Sequence, residues 1–474
     1  MRRTDIPVGW IVAGILFPAT VGAQTPKLTY TKDIAPIMNA RCLMCHRPGE
    51  VAPMSFMSYS EVRPWARAIK AKVVSRQMPP WYADGELGRW RNDRRLTQAE
   101  IDKITAWVDA GTPRGDDRDL PPLPQLAEGW NHPSGKPPDI IIEAPEQFVP
   151  AEGESPWQNL YVKLPFQGDV WVSASQLLPG NRAVVHHITV TPTTLPPDTV
   201  LDAAGRIKAA GAGATPDSSG RVSSTRLPPP TGTGIRVGMG GFFSGWEPGV
   251  DVPMSYGPDV AERISGTHLV FNIHYQSNGH ATTDKSRVGL WLQKGPVKYA
   301  TTGPAVGMGS ETFIFNGKEL PGRYTAQVTQ DILPPGVKTV PNIPAGEENY
   351  RLTALLPIRQ DMELYGIQPH MHIRGRSIKY TAVFPDGREE ELLNLPRYDF
   401  NWQIVYDFAK PVPLPAGTTV RVDAVWDNST KNRYNPRPDQ EVLWGEQSWD
   451  EMLSPQLRGV VKLENPITPV APSH

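Results

Sequence analysis

Only two of the 474 residues are cysteine, Cys42 and Cys45, and both stand in one motif. If that motif uses both thiols, no disulfide can staple the chain, and its domains must hold by packing alone. Charge of one sign is also missing. Lys and Arg number 48 against 49 Asp and Glu, a formal net charge of −1. That balance excludes a nucleic-acid protein, which needs a basic face, and an acidic disordered chain. Apolar runs of spanning length are missing beyond the N-terminus, and hydrophobic residues make 39% of the chain. A multi-span membrane protein is thereby excluded. What is abundant is proline (51) and glycine (42), about a fifth of the chain. That is below the roughly 25–30% of low-complexity disorder. With 14 Trp, 14 Tyr and 12 Phe beside them, the composition reads as β-rich and full of turns.

The N-terminus reads as an export signal. Arg2 and Arg3 precede a mostly apolar stretch, 6–17, and Val21-Gly22-Ala23 offers small residues for cleavage before Gln24. An uncleaved anchor is the alternative to a signal peptide over 1–23. Either way the folded part is expected outside the cytoplasm, periplasmic or secreted. From 24 to 119 the apolar pattern is helical: Ile34, Ile37 and Met38, then 62–74, then 101–108. Thr97-Gln98-Ala99-Glu100 fits a capping box, and Gly111 followed by Pro113 fits a helix end. Recurrent prolines make 120–138 a stiff linker. From Asp139 onward short β-type runs take over, at 170–172, 268–275, 377–384 and 418–425, separated by turns such as Pro385-Asp386-Gly387. That zone is long for one sandwich. The expected architecture is therefore multidomain, a small all-α domain followed by two all-β sandwiches over 139–296 and 297–474. The stretch 193–236, rich in Gly, Ala, Ser, Thr and Pro, reads as a surface excursion.

Cys42-Leu43-Met44-Cys45-His46 is the C-x-x-C-H pattern of covalent c-type haem attachment. One helical turn brings both thiols beneath the vinyl groups, and the next residue turns its imidazole to the iron. His46 is then the proximal ligand; a bare redox or metal CxxC pair is the alternative. The sixth ligand should be a thioether or a second imidazole. No other histidine precedes His132, so a methionine is expected. Met78, after the helical stretch and before Pro79-Pro80, is the candidate, while Met54 and Met57 read as packing residues. The segment from Cys42 through Met78-Pro79-Pro80-Trp81 to Trp107-Val108-Asp109-Ala110-Gly111 resembles a small class I cytochrome c.

Three tight contexts hold five of the ten histidines: His186-His187, His274-Tyr275 and His370-Met371-His372. The His370/His372 spacing puts both rings on one face of a strand, because side chains alternate with period two. Adjacent His186 and His187 point to opposite faces of a regular strand. They can share one ion only at a bend, or through different ring nitrogens, and they need a third ligand. His274 is the obvious supplier. Imidazoles with an optional thioether and no carboxylate suit copper better than magnesium or calcium, with zinc the alternative.

The segment from about 140 to 460 resembles the catalytic core of the copper type II, ascorbate-dependent monooxygenases. The blocks that carry the resemblance are Val185-His186-His187-Ile188, Gly245-Trp246-Glu247-Pro248-Gly249, Asn272-Ile273-His274-Tyr275, Pro369-His370-Met371-His372-Ile373-Arg374-Gly375 and Gln447-Ser448-Trp449-Asp450-Glu451-Met452. The resemblance implies two jelly-roll-like sandwiches with one copper on each and a solvent gap between them. It implies an electron-transfer copper on His186, His187 and His274, and an oxygen-binding copper on His370, His372 and Met452. It implies hydroxylation of a C–H bond of an organic substrate by O2, with electrons from a small, ascorbate-like reductant or a redox protein. The chain departs from the family in having no cysteine after Cys45 and in its fused cytochrome, which suggests haem as an electron source. Trp246 and Trp449 read as core or site-wall aromatics. Competing expectations are a haem–copper electron carrier without catalysis and a cytochrome-bearing β-sandwich binding module. A zinc hydrolase is weaker, since no carboxylate or base accompanies the histidines in a recognisable motif.

Overall fold

The computed structural model describes residues 28–126, 129–153, 158–209, 244–250, 253–255, 257–302, 312–326, 333, 336–445 and 447–470. The export signal read over 1–23, the 193–236 stretch beyond residue 209, and His474 lie outside them. The described chain is mostly β-sheet with a few short helices. None of these helices is long and apolar enough to cross a membrane.

The helices come first. A turn of π-helix, Tyr30–Ile34, runs into α1 (Ala35–Arg41); α2 (Tyr59–Val62), α3 (Ala66–Val74) and α4 (Gln98–Asp109) follow. Their apolar faces meet in one core in which Ile34, Met38, Leu43, Val62, Ile104 and Trp107 are fully buried. Helix α4 starts at the capping box read from the sequence. Thr97 Oγ1 accepts the Glu100 N–H at 3.2 Å, and Glu100 Oε2 accepts the Thr97 N–H at 2.7 Å. Past its end the chain reverses at Gly111, whose φ of +82° suits glycine.

The stretch between α3 and α4 does not stay with the helices. Pro79-Pro80, Gly85 and Gly88 deny it a helical period, and residues 81–92 run as a strap along the C-terminal half of the chain. Trp90 bridges to Phe408. Asp84 N–H donates to the Asn394 carbonyl at 2.9 Å, Arg91 N–H to Asp407 at 2.7 Å, and Ala409 N–H to Arg89 at 2.9 Å. Trp81 and Trp90 set their rings edge-on to Tyr406, at 4.9 and 5.5 Å between centroids. Both tryptophans are buried in the core of the C-terminal sandwich. The Pro-rich linker is docked as well. His132 stacks on Trp291 at 4.8 Å, and Trp291 Nε1 donates to the Lys136 carbonyl at 3.0 Å. Beneath it a Cβ on Gly289 would stand 2.7 Å from the Trp130 ring, so glycine is what lets the linker lie this close.

One twisted sheet runs through both β halves. Its strands are ordered Ile140–Glu143, Arg287–Leu292, Val170–Leu178, Val260–Ile264, Val297–Thr301, Ser454–Ile467, Met362–His370 and Tyr406–Leu414. Val260–Ile264 and Val297–Thr301 pair in parallel, so the boundary read at 296/297 falls inside a continuous sheet. A four-stranded sheet (Gln158–Lys163, His268–Tyr275, Val185–Thr193, Ser244–Trp246) covers the first half. Ile188, Val190, Leu269, Phe271 and Ile273 pack there against Ile142, Val172 and Leu290. A six-stranded sheet built around Tyr350–Pro357, Thr419–Trp426 and Gly375–Val383 covers the second half, closing a core that includes Leu352, Tyr380, Val422, Leu364 and Ile367. Truncating Trp90 to Ala is expected to cost the second sandwich about 3–5 kcal/mol. The check is a lowered denaturant midpoint for its tryptophan fluorescence; an unchanged midpoint would mean the strap adds nothing to that core.

Candidate metal centres

His187 and His274 face each other across adjacent antiparallel strands, and Ile188 faces Ile273 one step on. The isoleucines point into the core, so the two histidines share the outer face. The pairing then skips a residue: Tyr275 pairs with Val185, and His186 is bulged out of the ladder. That bulge is the bend an adjacent pair needs to serve one ion. The three rings stand 5.1, 5.2 and 5.2 Å apart by centroid. One donor atom from each lies within 4.8 Å of the others. His186 Nδ1 and His187 Nδ1 are 2.9 Å apart, near the spacing of two nitrogens that each bind one ion at about 2.0–2.1 Å. His186 Nε2–H donates to the Asn401 carbonyl at 3.1 Å, which leaves the lone pair on Nδ1, facing His187. The triad could bind a metal.

The second pair ends the Met362–His370 strand. Met371 turns into the core, fully buried, and is held there by Tyr398, whose hydroxyl accepts the Met371 N–H at 3.0 Å and donates to its carbonyl at 2.7 Å. His370 and His372 therefore share the other side, with ring centroids 5.1 Å apart. Each has its tautomer set by an acceptor. His370 Nδ1–H donates to Gln403 Oε1 at 2.6 Å and His372 Nδ1–H to the Asp450 carbonyl at 3.3 Å, so both present Nε2. Met452 arrives through sheet register. His370 pairs with Ser454 as the last step of that ladder, and just beyond it the backbone N–H groups of His372 and Met452 meet on one carboxylate. Glu451, fully buried, fastens this junction. Its carboxylate accepts N–H groups from His372 (3.1 Å), Arg374 (2.7 Å), Met452 (3.3 Å) and the Trp426 indole (2.8 Å). Burial pushes its carboxyl up to about 7 against these bonds.

One loop serves both clusters. The Phe400 ring lies 6.3 Å from His186, 6.4 Å from His274 and 5.8 Å from His372. Where the resemblance implied a solvent gap, an aromatic ring stands between the sites. Beside it is a small crevice lined by His186, His187, Glu247, Asn401, Gln403 and Ile404. Glu247 accepts the Val405 N–H at 3.2 Å, and burial pushes it up to about 7. Trp246 is buried in the first core, whereas Trp449 is 47% exposed beside the second cluster. Arg374 and Asn428 are buried and bonded to each other at 2.9 Å. The sequence reading missed Phe400, Asn401, Gln403 and the roles of Glu247 and Glu451. Loop residues carry no periodicity, and the two glutamates lay within blocks already noted without a function.

At Cys42-x-x-Cys45-His46 the Cys45 and His46 N–H groups donate to the Cys42 carbonyl at 3.1 and 2.9 Å, so one turn carries all three side chains. His46 Nδ1–H donates to the Met54 carbonyl at 3.2 Å, which leaves the lone pair on Nε2, and its ring stacks on Phe56 at 4.2 Å. Burial, with Cys45 and Glu100 beside it, pushes the Cys42 thiol up to about 12. Met54 and Met57 pack against the helical core. Met78 stands half-buried beyond α3, where the strap begins. Compared with known proteins, the chain matches no family model and no curated protein.

Burial holds all five clustered imidazoles below the ordinary 6.5, His274 down to about 3 and His370 to about 4. They are neutral, as ligands must be. Below pH 6.5 the unfolded chain binds protons that these rings refuse, so the metal-free fold loses stability as pH falls from 6.5 towards 4. The denaturant midpoint should drop across that window, and His274→Gln should flatten the drop. A midpoint that is level there would contradict neutral, buried rings.

Proposed function

We propose that the chain is an exported, haem- and copper-containing monooxygenase that hydroxylates a C–H bond of an organic substrate with O2. The observation that carries this reading is the convergence of five imidazoles into two clusters, His186, His187 and His274 on one sandwich and His370 and His372 on the other. His186, His187 and His274 would hold one copper, and His370, His372 and Met452 the other. A set of three imidazoles suits an ion that cycles between oxidation states, and two imidazoles with a soft thioether favour Cu(I). Copper at these sites supplies the one-electron chemistry by which O2 yields an alcohol and water. The residues of the chain supply the rest. Asn401, Gln403 and Asp450 hold the ring protons away from the ions. Glu451 keeps residues 372 and 452 side by side. Phe400 keeps water from the space between the clusters.

The N-terminal module supports the reading as its electron source, a class I-like cytochrome c with haem on Cys42, Cys45 and His46, and Met78 the candidate sixth ligand. Its attachment loop is clamped to the triad's sandwich. Glu50 accepts from Arg47 at 2.7 Å and from Arg182 at 3.1 Å, with all three side chains largely buried. Arg182 stands four residues before His186. On the far side of the cleft, Arg94 donates to the Pro248 and Gly249 carbonyls, both at 3.2 Å. These clamps point haem electrons at the triad rather than at the His370/His372 cluster, with a small reductant or redox protein reducing the haem.

Metal analysis with electron paramagnetic resonance should find two coppers and one haem per chain; a protein holding haem but no copper would leave only a cytochrome. Met452→Leu should abolish O2-dependent product while the haem spectrum and the triad's copper signal stay unchanged; retained product would remove that ligand. In stopped-flow with the full chain, reduced haem should be oxidised by the triad's copper on the turnover timescale, and Glu50→Gln should slow it. Haem that stays reduced while substrate turns over would exclude the haem as donor.

A further inference from the structure

The two clusters sit on different sandwiches, yet a single short segment is bonded to a ligand of each. His186 gives its Nε2–H to the Asn401 carbonyl at 3.1 Å, and His370 gives its Nδ1–H to the Gln403 side chain at 2.6 Å. In both rings the bonded nitrogen is the one turned away from the ligand position. We propose that residues 401–403 are an internal electron bridge, carrying charge from the His186/His187/His274 site to the His370/His372/Met452 site through two hydrogen bonds and three residues of covalent chain. This rests on the copper reading given above and deepens it.

The segment is built to stay in place. Tyr82 Oη donates to Asp399 at 3.1 Å, and Asn401 N–H and Nδ2 donate to the same carboxylate at 3.0 and 2.9 Å. Asn92 Nδ2 donates to the Val405 carbonyl at 2.6 Å, and Val405 N–H to Glu247 at 3.2 Å. Both ends are thus pinned by the strap from the N-terminal module, and Gln403 Nε2 closes back on the Phe400 carbonyl at 3.4 Å. Phe400 lies against rings of both clusters, and Gln403 at the far end of the route is buried. The step is a simple exchange. With copper held at both sites, one electron lost at the triad (Cu(I) to Cu(II)) would be the one gained at the second site (Cu(II) to Cu(I)), and no proton would move because both ring N–H bonds remain made. The electron is replaced at the triad by the haem or by external reductant.

The experiment uses full-length protein whose copper and haem content is counted first. A pulse of reductant is given, and the copper signals are followed by rapid-freeze electron paramagnetic resonance. Redistribution between the sites should be first-order and independent of protein concentration. Gln403→Met has similar bulk but no acceptor, and should slow it by about tenfold or more, the scale on which lost positioning acts. Gln403→Glu keeps an acceptor for the His370 N–H and should stay near the parent rate. An unchanged rate in Gln403→Met with both coppers bound overturns the bridge and leaves the monooxygenase reading standing. A parent protein without two coppers overturns both. If Gln403→Met fails to hold its second copper, Gln403→Asn, one methylene short of His370, is measured under the same criterion.

Discussion

His187 lies opposite His274 because Ile188 lies opposite Ile273, and the isoleucines are buried in the first core. A slip of one residue would bury the histidines and expose the isoleucines, which the core forbids. The same constraint works at the second cluster. Met371 is committed to the core, so His370 and His372 must face away from it, while Glu451 holds the backbone of His372 and Met452 on one carboxylate. The placing of the clustered histidines is thus a by-product of burying apolar residues in register. The chain has no disulfide to hold them otherwise.

How much of this was legible in the sequence depended on whether local period or long-range register decided it. The capping box of α4, the β-runs and the outward pairing of His370 with His372 follow from periods of 3.6 and 2, and each has its place in the structure. The bulge at His186 was required by the adjacency of the two rings but could not be located without the partner strand. Met452 came only from the family resemblance, since its partner position is fixed by a ladder formed some eighty residues away in sequence. Asn401 and Gln403 left no trace in composition or spacing. The strap was misjudged for a physical reason. Trp81 and Trp90 lie between two amphipathic helices, yet their own stretch has no helical period and finds its apolar cover on another sheet.

Charge is used sparingly inside this protein, and nearly always to join parts that the sequence keeps far apart. Glu451 ties strand end to strand start at the second cluster. Glu50, between Arg47 and Arg182, ties the attachment loop to the first sandwich. Arg458 reaches Asp407 at 2.9 Å, which also accepts from Arg91 of the strap at 3.1 Å. Removing one member of the buried Arg47–Glu50–Arg182 group leaves the others unpaired, typically at a cost of about 3–5 kcal/mol. These contacts fix relative placement more than they add stability.

The strap also has a bearing on the order of assembly. Tyr82 reaches Asp399 across 317 positions of chain, and Asn92 reaches Val405 across 313. A ribosome delivers the strap long before its landing site exists. Trp81 and Trp90 must therefore wait, uncovered, while the rest of the polypeptide is made, and contacts of such separation form late and slowly. The helices can condense early on their own core, but the loop between the two clusters gains its final tether only when the last strands have closed. Nascent chains are then most exposed to aggregation or chaperone capture at these two indoles, and maturation of the clusters comes at the end of folding rather than during it.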